Sequence, residues 1–231
     1  MSECDKGTVE VVLASGSPRR EAILRAHGIQ PTIILPQIDE HIDAGGQCVG
    51  GESADGKDVA LSPGEMVEVL ALRKARDVWQ RLVTGEVAWG QARASSAQLD
   101  DLARRTRIIG ADTVVYKEGR GVLGKPAGHD EAVSMLEALR NTAHHVYTGV
   151  AVVCMLDGEA TTFVDVSTVH FGDYSRDDIE AFLEAEPPYD KAGAYAAQGI
   201  WAAHITRIDG DLENVIGLPW HRLAPLLTAK T

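Results

Sequence analysis

The stretch VEVVLASGSPRR, residues 9–20, decides the fold class. Its first half, residues 9–14, is short, apolar and β-branched, as a buried strand requires. Ser17 then suits the N-cap of a helix and Pro18 its first position, so a helix is predicted from there to about Gly28. A strand that passes through a tight turn into a helix is the opening unit of an α/β fold.

Hydrophobic periodicity extends this interpretation along the chain. Capping-box patterns begin at Ser62 and at Ser175 and predict two helix starts. The predicted strands cover residues 33–38, 108–116, 146–155, 161–171 and 200–208, and further helices cover 129–139 and 218–227. Residues 44–60 and 84–106 are polar and patternless, and we interpret them as insertions, the second one helical near 99–104. The pattern predicts a mixed α/β fold in one domain spanning residues 1–231.

The composition argues against several functional classes. The 231 residues carry a formal net charge of -12, which disfavours binding to a nucleic-acid polymer. A pocket can still concentrate basic side chains, so a small anionic ligand is compatible with this charge. Cys4, Cys48 and Cys154 have no metal-ligand spacing. The sequence predicts neither a membrane helix nor a signal peptide, and we expect a cytoplasmic protein without membrane contact.

The turn at residues 15–20 is a candidate anion site. A helix N-terminus presents free N–H groups and a partial positive charge, and small residues such as Ser15 let an anion approach them. Arg19 and Arg20 oppose the helix dipole, and a bound phosphate would offset that cost. The alternative is an ordinary capped helix with two solvated arginines.

Two further charged residues lie in apolar surroundings. Asp112 interrupts an apolar strand, so its carboxylate must be paired, solvated in a cleft or bound to a metal. The alternative is an aspartate at a strand end that bonds backbone groups. Lys74 falls inside the apolar stripe of the helix that starts at Ser62. A lysine there usually extends its ammonium to the surface, and the alternative is an ammonium that points into a cleft towards an anion.

Glycine-rich segments supply the remaining candidates. Residues 119–126 imitate a dinucleotide motif and a phosphate-binding loop, but Pro126 stands where the magnesium-binding hydroxyl belongs. A hairpin turn explains the glycines better, and Pro126 holds Lys125 in an extended conformation. Residues 190–199 are either a tight connection or a ligand segment in which small residues allow close approach beside a lysine and an amide, Lys191 and Gln198.

Taken in order, nine short segments resemble the Maf family of nucleotide pyrophosphatases. The matching segments are residues 13–20, 38–40, 72–75, 109–113, 124–126, 148–150, 190–195, 198–199 and 215–219. Each segment is short, but the ordered set is specific and spans nearly the whole chain.

The resemblance implies an elongated mixed sheet, two lobes around a deep cleft and, in many members, a homodimer. It implies hydrolysis of the bond between the α and β phosphates of a nucleoside triphosphate with Mg²⁺ or Mn²⁺. Asp112 matches the catalytic acid, cast as a general base, and we expect it either to take the proton of the attacking water or to hold the metal together with Glu40. Arg19, Thr113 and Gln198 match specificity positions. The full set of predicted substrate-binding residues is Ser15, Arg19, Arg20, Lys74, Thr113, Lys125, Lys191 and Gln198.

The motif Ala111-Asp112-Thr113 resembles the branch that acts on dTTP and UTP, and in some members on modified pyrimidine nucleotides. The alternatives are a 7-methyl-GTP pyrophosphatase and a nucleotide-binding regulator of cell division without turnover; a dehydrogenase is disfavoured by the misplaced glycine motif. The pair Ala196-Ala197 departs from the commoner Gly-Ile. A positive φ at Ala196 would strain this alanine and shift the base pocket.

Overall fold

One mixed sheet of seven strands organises the chain. The computed structural model describes residues 9–38, 61–88 and 96–228. The strand order is β2-β1-β3-β5-β6-β7, and β4 pairs with β3. The strands are β1 (Glu10–Leu13), β2 (Thr32–Ile33), β3 (Thr106–Lys117), β4 (Gly121–Leu123), β5 (Ala143–Cys154), β6 (Ala160–Phe171) and β7 (Ile205–Asp209).

Helices flank this sheet. In the described ranges they are α1 (Pro18–Ala26), α2 (Pro63–Val83), α3 (Ser96–Arg105), α4 (His129–Leu139), α5 (Arg176–Ala185), α6 (Leu212–Ile216) and α7 (Trp220–Thr228). Two short 3₁₀ segments lie at Ala192–Ala194 and Ile200–His204. None of these helices combines the length and the apolar composition that a membrane span needs.

The central strand β3 has one edge that is paired only in part. Strand β5 runs antiparallel along one edge of β3, from Arg107 to Tyr116. The opposite edge pairs in parallel with β1 over residues 106–109 and in antiparallel fashion with β4 over residues 115–117. No described strand pairs with residues 110–114 on that edge, and we call this interruption the notch. The fold therefore opens the sheet at its centre.

Helix α2 lies directly on the backbone of β3 and β5. A Cβ atom added to Gly110 would be 2.1 Å from the carbonyl oxygen of Ala71, and one added to Gly149 would be 2.4 Å from that of Val67. Only glycine permits so close an approach. The two glycines thus bring α2 against the sheet next to the notch.

The local helix signals are confirmed, whereas two predicted strands are largely wrong. Ser62 and Ser175 each form a capping box, with Glu65 and Asp178. In place of a strand over 33–38, pairing with β1 ends at Ile33, and Pro36 has no backbone N–H with which a longer strand could continue. In place of a strand over 200–208, a 3₁₀ turn precedes β7, because the chain turns to bury Trp201 in the core.

Three other expectations concern the less regular segments. Residues 44–60 lie outside the described residues, while the second predicted insertion contains α3 and is therefore more helical than expected. Among the described non-glycine residues, positive φ occurs at Asn141 and Ala194 and not at Ala196, so the condition for strain at Ala196 is not met. The division into two lobes stays a prediction.

Candidate active site

A cavity of about 810 Å³ opens at the notch. The predicted substrate-binding residues and Asp112 all line it, together with Asp190 and Tyr195. Glu40 lies outside the described residues. The described lining has five basic side chains and two carboxylates, so the cavity is locally cationic although the chain carries a net charge of -12. Such a surface favours an anionic ligand.

An ion pair between Lys74 and Asp112 lies at the centre of the cavity wall. The Nζ atom of Lys74 donates to Oδ1 of Asp112 over 2.7 Å, and the two side chains are 5% and 14% exposed. The interpretation that Lys74 extends to the surface is therefore wrong, because the close packing of α2 on Gly110 carries its ammonium inward. The pair holds the carboxylate in a defined orientation inside the notch.

Arg20 connects three parts of the cavity wall. Its Nε donates to the carbonyl oxygen of Gly217 (2.9 Å), its Nη1 to Oγ of Ser15 (3.1 Å) and its Nη2 to Oγ1 of Thr113 (3.1 Å). The turn before α1, the strand β3 and the turn after α6 are thus held by one guanidinium. The alternative in which both arginines are simply solvated is wrong for Arg20, and its binding to substrate stays a prediction.

The hydroxyl of Thr113 continues this network into the core. It lies 3.0 Å from Oγ1 of Thr148, the residue directly opposite it on β5. The Thr148 hydroxyl donates in turn to the carbonyl oxygen of Asn214 over 2.9 Å, and both residues are fully buried. The polar chain therefore runs from α1 to α6 through the two central strands.

Asp190 neutralises two of the basic side chains. Its carboxylate lies 3.6 Å from Nη1 of Arg19 and accepts a hydrogen bond of 2.8 Å from Nζ of Lys191. Burial opposes ionisation of this carboxyl, but the two cations outweigh burial and lower the pKa of Asp190. Asp190 is 64% exposed, so water screens both contacts and a stronger anion can replace them.

The segment that carries Lys191 and Gln198 is held by backbone geometry and by one buried bond. Gly193 has φ +68, and its N–H donates to the carbonyl oxygen of Gly124 over 3.0 Å. Tyr195 shares a 2.6 Å hydrogen bond with Nε2 of His144 on β5. Burial lowers the pKa of His144 to about 3 and raises that of Tyr195, so both side chains are neutral near pH 7.

Comparison with known proteins identifies the chain. A family model described as "Maf-like protein" matches residues 10–230. The chain belongs to the Maf family. Three of its relatives are named dTTP/UTP pyrophosphatase. The relative from Symbiobacterium thermophilum is 40% identical over 219 residues, covering 95% of this chain and 93% of the relative. The relative from Pelotomaculum thermopropionicum is 38% identical, covering 94% of this chain and 95% of the relative. The relative from Lachnoclostridium phytofermentans is 35% identical, covering 93% of this chain and 91% of the relative.

The donor groups of this Maf chain fit a divalent metal at the cavity. Oδ1 of Asp112 accepts a hydrogen bond from Lys74, and the Asp112 side chain lines the cavity. Magnesium is commonly bound by one or two carboxylates together with phosphate oxygens of a substrate, so one carboxylate oxygen is a sufficient protein ligand. A second cluster, of Asp165, Asp211 and His221, lies outside the cavity lining.

Sequence reasoning assigned no role to two residues that line the cavity, Asp190 and Tyr195, although both lie in a matching segment. It also assigned none to Thr148, which begins another matching segment and is buried behind Thr113. The signal for Thr148 was available in principle, since pairing the β3 and β5 patterns in register places it opposite Thr113. The signal for Asp190 was its position next to Lys191.

Proposed function

We propose that this Maf chain hydrolyses dTTP and UTP, or modified pyrimidine triphosphates, to the monophosphate and pyrophosphate. One observation carries the proposal: the carboxylate of Asp112 stands in the notch, inside a cavity lined by five basic side chains. The relatives named dTTP/UTP pyrophosphatase support the same substrate class. The location of Asp112 suits a reaction in which a water molecule attacks an anionic phosphorus.

The basic side chains bind the triphosphate. Arg19 and Lys191 exchange Asp190 for phosphate oxygens, because a polyphosphate carries more charge than one exposed carboxylate. Lys125 approaches from the segment hydrogen-bonded to Gly193. Binding by several cations fixes the α-phosphorus in the notch, and positioning of this kind together with charge stabilisation supplies most of the rate in phosphoryl transfer.

Asp112 accepts a proton from the attacking water. A bond forms between the water oxygen and the α-phosphorus, the bond to the bridging oxygen breaks, and pyrophosphate leaves with the electron pair. Lys74 orients the carboxylate within the cavity. When Mg²⁺ or Mn²⁺ is bound, it neutralises phosphate charge and acidifies water. Asp112 and the predicted ligand Glu40 are the residues that would hold it.

Pyrophosphate release tests the proposal. Wild-type protein with Mg²⁺ or Mn²⁺ should release pyrophosphate from dTTP and UTP faster than from 7-methyl-GTP. Asp112→Asn should reduce turnover at least about 10³-fold in a protein that still folds, because the amide oxygen still accepts from Lys74 but takes no proton. Asp173→Asn is the matched control, since Asp173 is exposed and outside the cavity lining.

Two outcomes would reject the proposal. Full turnover by Asp112→Asn removes this residue from the reaction. Tight binding of triphosphates without any pyrophosphate release by the wild-type protein makes the chain a nucleotide-binding regulator instead. The homodimer and the cytoplasmic location stay predictions, and sedimentation of the purified chain tests the first of them.

A further inference from the structure

The buried hydrogen bonds determine which way the Thr113 hydroxyl is polarised. The carbonyl oxygen of Asn214 can only accept, so the single proton of the Thr148 hydroxyl is committed to it. In the contact between the two threonines, Thr113 is therefore the donor and Thr148 the acceptor. The proton of the Thr113 hydroxyl points into the core and is unavailable to a ligand.

The Thr113 oxygen keeps one lone pair that no described residue uses. It already accepts a hydrogen bond from Nη2 of Arg20. A hydroxyl oxygen has two lone pairs, so one lone pair remains, and Thr113 lines the cavity. Towards a ligand in the cavity, the Thr113 hydroxyl can only accept a hydrogen bond.

Ser15 has the opposite polarity. Its Oγ accepts from Nη1 of Arg20 over 3.1 Å and from the backbone N–H of Ser17 over 3.2 Å, so both lone pairs are occupied. Its own proton is left for a ligand, and a phosphate oxygen is a strong acceptor. One guanidinium thus makes the Ser15 hydroxyl a donor and, with Thr148, makes the Thr113 hydroxyl an acceptor.

We propose that Arg20, Thr148 and Asn214 are positioning residues that set Thr113 as an acceptor for a hydrogen-bond donor on the nucleoside half of the substrate. This inference rests on the proposed function. Phosphate oxygens at neutral pH are acceptors and would be repelled by the free lone pair, so Thr113 faces the nucleoside. The donors that dTTP and UTP share are the N3–H group of the base and the 3′-hydroxyl of the sugar. Cytosine has an acceptor at N3, and an acceptor-only hydroxyl rejects it.

Thr148→Val tests the polarity directly. Valine keeps the shape of threonine but removes the acceptor, so the Thr113 hydroxyl becomes free to rotate and donate. We measure kcat/KM for UTP against CTP, and for dTTP against its 3′-deoxy analogue. If the base supplies the donor, the preference for UTP over CTP should fall about ten-fold; if the sugar supplies it, the preference for dTTP over the 3′-deoxy analogue should fall by a similar factor.

Two variants control for structural damage. Thr148→Ser retains the hydroxyl and should keep both kcat/KM ratios at their wild-type values. Thr168→Val removes a threonine hydroxyl from β6 that bonds His145 outside the cavity lining, and should leave both ratios unchanged. Thr113→Val removes the acceptor while Thr148 keeps its bond to Asn214, so it should weaken the same preference even if Thr148→Val does not fold.

Unchanged ratios in both Thr148→Val and Thr113→Val would overturn the inference, as would a serine variant that behaves like the valine variant. Failure of the proposed function gives a different result, namely no pyrophosphate release from any of these nucleotides by the wild-type protein. In that case the ratios of dissociation constants, measured by calorimetry with the same nucleotides, decide whether the polarity of Thr113 selects the ligand.

Discussion

Replacing Lys74 by methionine should destabilise the protein through the carboxylate it leaves behind. Methionine fills the volume of the lysine stem but has no ammonium, so the Asp112 carboxylate loses its partner at 2.7 Å. Breaking a buried ion pair by removing one member costs roughly 3–5 kcal/mol. Because Asp112 is still 14% exposed at the cavity wall, water recovers part of that cost, and we expect about 3 kcal/mol.

The assay is urea denaturation followed by circular dichroism, with Lys74→Met, Asp112→Asn and the double variant. The double variant has no unpaired carboxylate and should regain stability, which corresponds to a coupling energy of about 1–3 kcal/mol between the two positions. Lys117→Met is the matched control, because Lys117 is a half-buried lysine outside the cavity lining that donates to the Ala143 carbonyl oxygen and pairs with no described carboxylate. Its cost should stay below about 1 kcal/mol. Equal slopes with urea would show that the unfolded state is unchanged.

A Lys74→Met variant that is as stable as the wild type, with no coupling between the two positions, would refute the cost assigned to the unpaired carboxylate. That result would mean that the carboxylate is fully satisfied by cavity water and that the ammonium is not needed to hold it. If Lys74→Met lowers the free energy of unfolding and the double variant does not recover it, the cost comes from the packing of α2 instead.

Two further predictions concern the contact between α2 and the sheet and the buried imidazole of His144. Gly110→Ala places a methyl group 2.1 Å from the Ala71 carbonyl oxygen, so we expect the free energy of unfolding to fall by at least about 3 kcal/mol. A melting temperature within about 2 °C of the wild-type value would contradict the close approach of α2 to β3. Burial lowers the pKa of His144 from 6.5 to about 3, so below pH 6.5 the unfolded chain takes up the proton first, and the free energy of unfolding should fall by about 2.7 kcal/mol by pH 4.5. His144→Gln should flatten this dependence in a pH series of melting curves, and an unchanged slope would count against the buried neutral imidazole.

Elements whose signals lie within a few residues could be predicted from the sequence. The capping boxes at Ser62 and Ser175 depend on contacts three residues apart, so α2 and α5 begin where expected. Elements that depend on distant contacts could not be predicted in the same way. Residues 200–204 alternate as a strand does, yet the burial of Trp201 against aromatic rings from other segments selects a 3₁₀ turn.

The same distinction between local signals and distant contacts applies to the candidate site. Residue types and motif order indicated which side chains belong together, and the described ones do line one cavity. The partners of those side chains depend on strand register and on how closely α2 approaches the sheet. The local pattern therefore favoured a surface position for Lys74. The bond from Arg20 to Thr113 joins residues 93 positions apart, which no local pattern connects.

The interruption in the pairing of β3 also has a consequence for solubility. An unpaired strand edge is a template on which other chains can assemble. Here the open edge is only residues 110–114 long, and it is closed at one end by β1 and at the other by β4. A foreign strand cannot extend past either neighbour, so this interruption places polar groups in the middle of the sheet without itself offering a long edge to another chain.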